Sequence, residues 1–263
     1  MDISTIVGVV AALVIVFVVQ ILDGGSPGSI LLIPSILLVF GGAFFAGMAG
    51  GVLKDSIGIG NLFKKAFLAK VSPPTKLVDD VVKLAERARR EGLLALEDAV
   101  KTVDHPFLKR GLQLAIDGTD PEELHDILQA EVAAKKKDDK SGIKIFENMG
   151  GYAPTIGIIG TVMGLVHVLQ NLSKPDTLGE SIAAAFVATL WGVLSANVLW
   201  LPLAARLTRL SGIEADEMEL VIEGVLAIQS GSNPRLVAQK LRSLLPPPEA
   251  AKAVTAASSK KAA

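Results

Sequence analysis

Two threonines, Thr161 and Thr189, stand in apolar stretches that hold no acid, lysine or arginine (Tyr152–Leu172 and Ser181–Ala205). A hydroxyl in such surroundings can return its proton to a carbonyl of its own helix, or it can line a path for water or a cation. The second reading gains from Thr155, Ser195 and Asn197, which share the same two stretches. Pro154 and Pro202 stand near one end of each. Proline frees a backbone carbonyl and bends a helix, which gives either a static kink or a hinge. His167 is the one histidine in these stretches, the residue type whose intrinsic range lies near neutral pH, and it lies near the opposite end. A rim histidine facing lipid headgroups and a proton relay are its two readings. Moving a proton or a sodium ion through lipid calls for a carboxylate at depth, and these stretches have none. A conducting role therefore requires an acid from another chain; otherwise the chain is a scaffold.

The elements that must position these residues follow from hydropathy. Each stretch has about the length a helix needs to cross a bilayer, roughly 20 residues at 1.5 Å rise. Two more precede them, Ile3–Leu22 and Ser29–Leu53. The first lacks a basic leader and a small-residue cleavage site, so it reads as a membrane helix rather than a signal peptide. Four transmembrane helices are predicted. Of the 26 Lys and Arg residues, 17 fall in Lys54–Lys144 and eight from Arg206 onward, while the two short loops at Asp23–Gly28 and after Leu172 hold only Lys174. The positive-inside rule then puts both termini and the long middle segment in the cytoplasm.

The composition agrees: half of the 263 residues are hydrophobic. No cysteine is present, which excludes disulfides and thiolate metal sites, and the three histidines are scattered. A net charge of −1 offers nothing to a nucleic acid. No nucleophile–base pair, phosphate loop or metal constellation appears, so an enzyme is not expected.

The polar parts read as helices. Leu77, Val81, Leu84 and Ala88 have helical spacing within Thr75–Arg90, after a break at Val71–Pro74. Gly92 interrupts, and Leu93–Val100 resumes. His105-Pro106 opens a helix to about Ile116, and Asp120-Pro121-Glu122-Glu123 opens one to about Lys135. Beyond the polar stretch Lys135–Ser141 helical pattern resumes into the third span, which allows one long helix projecting from the membrane. Ile213–Ile228 and Leu236–Leu245 are further helices, and 249–263 reads as disordered. Gly47/Gly51 and Gly160/Gly164 are spaced for close helix approach, either ordinary packing or an oligomer face. Glu86, Arg87, Arg89, Arg90, Glu91 and Glu97 flank Gly92, as a solvated helix face or a docking surface for a charged partner.

At these residues the chain resembles the MotA/PomA family of bacterial flagellar stator proteins, over nearly its whole length. The resemblance is carried by Gly151-Tyr-Ala-Pro-Thr-Ile-Gly-Ile-Ile-Gly-Thr-Val-Met-Gly-Leu165, by Ala184-Ala-Phe-Val-Ala-Thr-Leu-Trp-Gly-Val-Leu194, and by Ala88–Glu97, Ala115–Gly118 and Ile222–Ile228. It implies a homopentamer around a dimer of a single-span MotB/PomB-type subunit, which supplies the ion-binding aspartate and a peptidoglycan anchor. It implies that Arg89 and Glu97, with Arg90 and Arg87 beside them, face the rotor protein FliG. Pro154 and Pro202 match the prolines that couple ion passage to movement. Thr161 and Thr189 match threonines near the ion, with Thr155 on the same pathway. Threonine at both places points to sodium. The acidic residue of one sodium-type branch is absent near Leu32–Ile33, which leaves sodium and proton both open.

The expectation is thus an all-α membrane protein that couples cation flow, sodium or proton, to torque, with no bound cofactor. The boundaries are 1–53 for spans one and two, 54–146 for the cytoplasmic torque domain, 147–209 for spans three and four, 210–248 for C-terminal helices and 249–263 for the tail. Two rivals stand beside it, an ExbB/TolQ-like energiser and a non-conducting scaffold. Four spans and the Ala88–Glu97 segment argue against the first.

Overall fold

The computed structural model describes residues 4–70, 73–173 and 177–246. Val71 and Ser72 of the expected break, Lys174 of the expected loop and the tail at 249–263 lie outside the described residues. Among those described there is no strand, and the fold is the expected all-α one. The helices are α1 (Ser4–Leu22), α2 (Ile33–Ile36), α3 (Gly42–Ala49), α4 (Leu53–Ile57), α5 (Ile59–Leu68), α6 (Pro74–Glu91), α7 (Leu96–Lys101), α8 (Pro106–Ile116), α9 (Pro121–Gln170), α10 (Leu178–Ser195), α11 (Leu201–Gln229) and α12 (Pro234–Ser243). Two π-helical turns join neighbours, Leu37–Gly41 between α2 and α3 and Ala196–Trp200 between α10 and α11.

Three helical stretches are long and apolar enough to cross a membrane: Ser4–Leu22, Pro121–Gln170 and Leu178–Gln229. The expected second span is a shorter apolar helix, Ile33–Ala49. Pro34 in its first turn sets where it starts, and Gly50-Gly51 follows its end. Two expected helix boundaries are absent. The helix opened at Pro121 does not stop near Lys135 but runs to Gln170. The stretch Lys135–Ser141 is polar without being helix-breaking, and it carries ion pairs, Lys135 with Glu214 at 2.5 Å and Lys136 with Glu219 at 3.4 Å. Likewise no boundary precedes the expected helix Ile213–Ile228, because α11 runs unbroken from Leu201 to Gln229, with Pro202 in its first turn, where an N–H is dispensable.

The chain forms two compact units, 1–70 with 138–210 and 71–137 with 211–263. Hydropathy put the corresponding boundaries elsewhere, at 54, 146 and 210, because it reads the solvent while packing groups residues by contact.

The unit of 71–137 and 211–263 is a water-soluble type of core. Leu96, Leu108, Leu112, Leu124, Leu128, Val221, Ile222, Val225 and Leu241 are buried together. Caps set its helix starts. The His105 side chain accepts from the Leu108 N–H at 3.2 Å, Asp120 from Glu122 at 2.9 Å and Asn233 from Arg235 at 3.0 Å.

The other unit packs differently. Phe146, Met149, Ala153, Val39, Leu203 and Leu207 are buried, with Trp191 and Trp200 beside them. The Trp191 indole donates to the Ile30 carbonyl at 2.6 Å, tying α10 to the segment before α2. Where α9 meets α10, small residues bring the backbones together. A β-carbon on Gly157 would lie 2.8 Å from the Ala188 carbonyl oxygen, and one on Gly164 would lie 2.5 Å from the Ala185 β-carbon. Gly160 likewise faces Ala188. The Gly160/Gly164 spacing is therefore spent on packing within one chain.

Candidate functional site

The close approach of α9 and α10 brings Thr161 and Thr189 into contact. Their hydroxyl oxygens are 2.5 Å apart. The Thr161 hydroxyl is also 3.0 Å from the Ala185 carbonyl oxygen, across the interface, and 3.3 Å from that of Gly157 in its own helix. The proton inventory decides the direction. Each hydroxyl has one proton and two lone pairs. If Thr161 donated to Thr189, the Thr189 proton would have no acceptor among these contacts. The arrangement that satisfies both has Thr189 donating to Thr161 and Thr161 donating to Ala185. One proton is then held within the pair and the other by the Ala185 carbonyl, which leaves lone pairs on both hydroxyls as acceptors. Oxygen acceptors without competing protons are what a hard cation takes as ligands. The bond to its own helix is one of the two readings that the sequence left open, and Thr161 reaches a second helix at the same time.

The other polar residues of these helices do not join the pair. Thr155 donates to the Tyr152 carbonyl at 2.8 Å, Ser195 to that of Gly192 at 3.3 Å, and the Asn197 amide to Val193 at 2.8 Å. Thr155 and Asn197 are nevertheless exposed on the chain's surface. His167 is exposed, and Asn171 donates to its backbone carbonyl at 2.9 Å, as a rim residue would. Among the described residues no cluster of acids and histidines could hold a metal ion.

Pro154 lies within α9 and offers no N–H to the Gly150 carbonyl. Pro202 follows the π turn Ala196–Trp200. There the Leu201 N–H goes to the Ala196 carbonyl rather than to Asn197, and the next residue is the proline. The helix widens where its ladder skips. This turn was not foreseen, although Pro202 deep in an apolar run was its signal.

The charged ridge belongs to the other unit. α6 ends at Gly92, whose φ of +88° favours glycine. A short 3₁₀ turn, Leu93–Ala95, then leads into α7. Arg89, Arg90 and Glu97 are exposed and make no ion pair among the described residues. Arg87 is different, because its guanidinium holds Glu91 at 3.1 Å one turn on. Beside Glu97, Asp98 and Lys101 pair at 2.8 Å. The hydrogen bond from Lys101 holds the Asp98 carboxyl below its usual range and raises Lys101 in return.

Comparison with known proteins identifies the class first. Residues 99–220 match the MotA/TolQ/ExbB proton channel family. The chain is 38% identical over 247 residues to motility protein A of Bacillus subtilis, covering 94% of this chain and 92% of that one. It is 33% identical over 245 residues to chemotaxis protein PomA of Vibrio alginolyticus, covering 93% and 96%. Two solved structures share the fold. The C. jejuni MotAB structure matches with a TM-score of 0.90 at 30% identity, covering 94% of this chain and 97% of that one. The flagellar MotAB stator complex from Bacillus subtilis matches with a TM-score of 0.87 at 37% identity, covering 95% and 98%. The chain belongs to the MotA/PomA family of flagellar motor stator proteins, which are motor subunits and not enzymes.

Proposed function

We propose that this chain is the torque-generating subunit of an ion-driven stator in the bacterial inner membrane. It crosses the membrane four times, with Ile33–Ala49 as the second span and both termini in the cytoplasm. A cation passes beside Thr161 and Thr189, with Thr155 on the same route. The carboxylate comes from a single-span subunit of the MotB/PomB type, which also anchors the complex to peptidoglycan, and this chain forms a homopentamer around it. Pro154 and Pro202 couple the passage to movement. Arg89, Arg90 and Glu97 engage the rotor protein FliG, while Arg87, held by Glu91, braces the end of α6.

The observation that carries this reading is the threonine pair. Its hydroxyls meet at 2.5 Å between the charge-free stretches Tyr152–Leu172 and Ser181–Ala205, with backbone carbonyls completing an all-oxygen set. That set favours sodium, because a proton moving through water and a carboxylate needs no such ligands. The names of the matched structures, both MotAB, support the partner.

The test is swimming speed of a stator-deleted strain complemented with this chain and its partner, against external sodium at fixed pH. Speed that rises with sodium and survives a protonophore supports the sodium reading. Speed that ignores sodium and collapses with the protonophore assigns the proton. Failure to restore motility removes the stator role.

A further inference from the structure

Trp200 carries a buried donor that the known parts of the machine do not use. It is 6% exposed, and its indole nitrogen has no hydrogen-bond partner among the described residues. Indole N–H is a donor only, and leaving such a group unpaired inside a fold is unfavourable. The atom is covered by this chain's own residues, so neither lipid nor a neighbouring subunit reaches it. Phe40 and Phe63 surround the ring, with centroids 5.7 and 6.1 Å away. None of them accepts a hydrogen bond in the ring plane.

Its position links the two prolines. Trp200 closes the π turn Ala196–Trp200, and Pro202 stands two residues on. On α9, the position of a β-carbon on Gly150 is 3.5 Å from the Trp200 β-carbon and 2.6 Å from the Leu201 side chain. Gly150 is the residue whose carbonyl loses its helical donor to Pro154. An unpaired donor and a carbonyl deprived of its partner therefore belong to contacting residues. A π turn can slip to α-helical register, which rotates the residues it contains about the helix axis.

We propose that Trp200 is a positioning residue. A register slip of the turn Ala196–Trp200 carries its indole N–H from the present unpaired state to the Gly150 carbonyl, so that the two prolines act as one switch. The proposed switch has two discrete arrangements, the unpaired indole of the present structure and the indole bound to the Gly150 carbonyl. The inference rests on the proposed stator role and adds the moving part to it.

The experiment uses the complex of this chain with its single-span partner. In the Trp191→Phe variant, Trp200 is the only tryptophan of this chain, and partner tryptophans are subtracted with a Trp191→Phe/Trp200→Phe control. Its emission is recorded as sodium or acid is titrated. A change in Trp200 emission that tracks the driving ion supports the switch, and emission indifferent to that ion overturns it. In cells, Trp200→Phe keeps the ring and deletes the donor. Rotation should slow by about fivefold, the size of effect one lost hydrogen bond has on a two-state equilibrium, with complex yield unchanged. Wild-type rotation by an assembled Trp200→Phe stator overturns the proposal and leaves the stator role intact. Failure of the wild-type complex itself to drive motility would strike that role instead.

Discussion

The two compact units hold themselves together by opposite means. Around Thr161 and Thr189, contact is made by what is missing: Gly157, Gly160 and Gly164 have no side chain to separate α9 from Ala185 and Ala188 of α10. In the unit of 71–137 and 211–263, contact is made by bulk, with Leu112, Leu124, Leu128 and Leu241 wholly buried. Water drives the second arrangement through burial of apolar area. Lipid supplies no such drive, so the first relies on close van der Waals fit and on hydrogen bonds between helices. The polar groups follow the same division. The Thr161 and Thr189 hydroxyls meet between α9 and α10, whereas Arg89, Arg90 and Glu97 are exposed and make no ion pair among the described residues. An inward oxygen site suits a small cation, and an outward row of free charges suits a protein surface.

The sharpest way to break this contrast is to put bulk where the small residues are. Gly164→Val would force atoms to within 2.9 Å of the Ala185 backbone. We expect α9 and α10 to separate, with loss of folded complex from the membrane fraction and of all motility. Normal complex yield would show that close approach is not what holds this unit. The reciprocal change, Leu112→Ala, removes bulk from the leucine core and should cost about 2–5 kcal/mol, read by thermal or denaturant unfolding. A loss below 1 kcal/mol would contradict the packing described here.

Reversing the outer charges separates surface from core. Arg89→Glu with Glu97→Lys should cut motility severely while thermal stability and membrane level stay near wild type, because neither residue has an ion pair among the described residues. Wild-type swimming would remove the rotor-facing assignment. Reversing Arg87 instead should cost at most about 0.5 kcal/mol, since it breaks one exposed pair within a helix.

The smallest effect is a pH dependence. Burial pushes His105 below its usual value of 6.5. Its neutral ring is also the acceptor that caps α8. The folded form thus binds fewer protons than the unfolded one as pH falls below 6.5. Stability from this group is complete above that value and is lost as pH drops through the lower folded value. His105→Asn keeps a capping oxygen and should flatten that part of the stability curve; an unchanged slope below pH 6.5 would exclude His105 as its source.

Much of this was legible in the residues. Capping signals at His105-Pro106 and Asp120-Pro121 put helix starts within a residue of where they are, while the last helix, expected from Leu236, starts two residues earlier at Pro234. The pairing of Thr161 with Thr189 was legible as shared chemistry but not as contact, because periodicity states which face a residue is on and not what opposes it. Helix ends were misjudged where polarity was taken for a break. Lys135–Ser141 is polar because it carries ion pairs, and helix continuity is indifferent to that. The π turn at Ala196–Trp200 escaped notice because a single skipped hydrogen bond leaves apolar spacing almost unchanged.

The most direct test of the central claim is cation flux into vesicles that carry this chain with its single-span partner, comparing wild type with Thr161→Val. Valine keeps the shape and removes the oxygen on which the Thr189 and Ala185 contacts converge. The account predicts that flux falls about tenfold or more, the effect of one misplaced ligand at a site of charge stabilisation, while complex yield is unchanged. Equal flux through the assembled valine variant would contradict it.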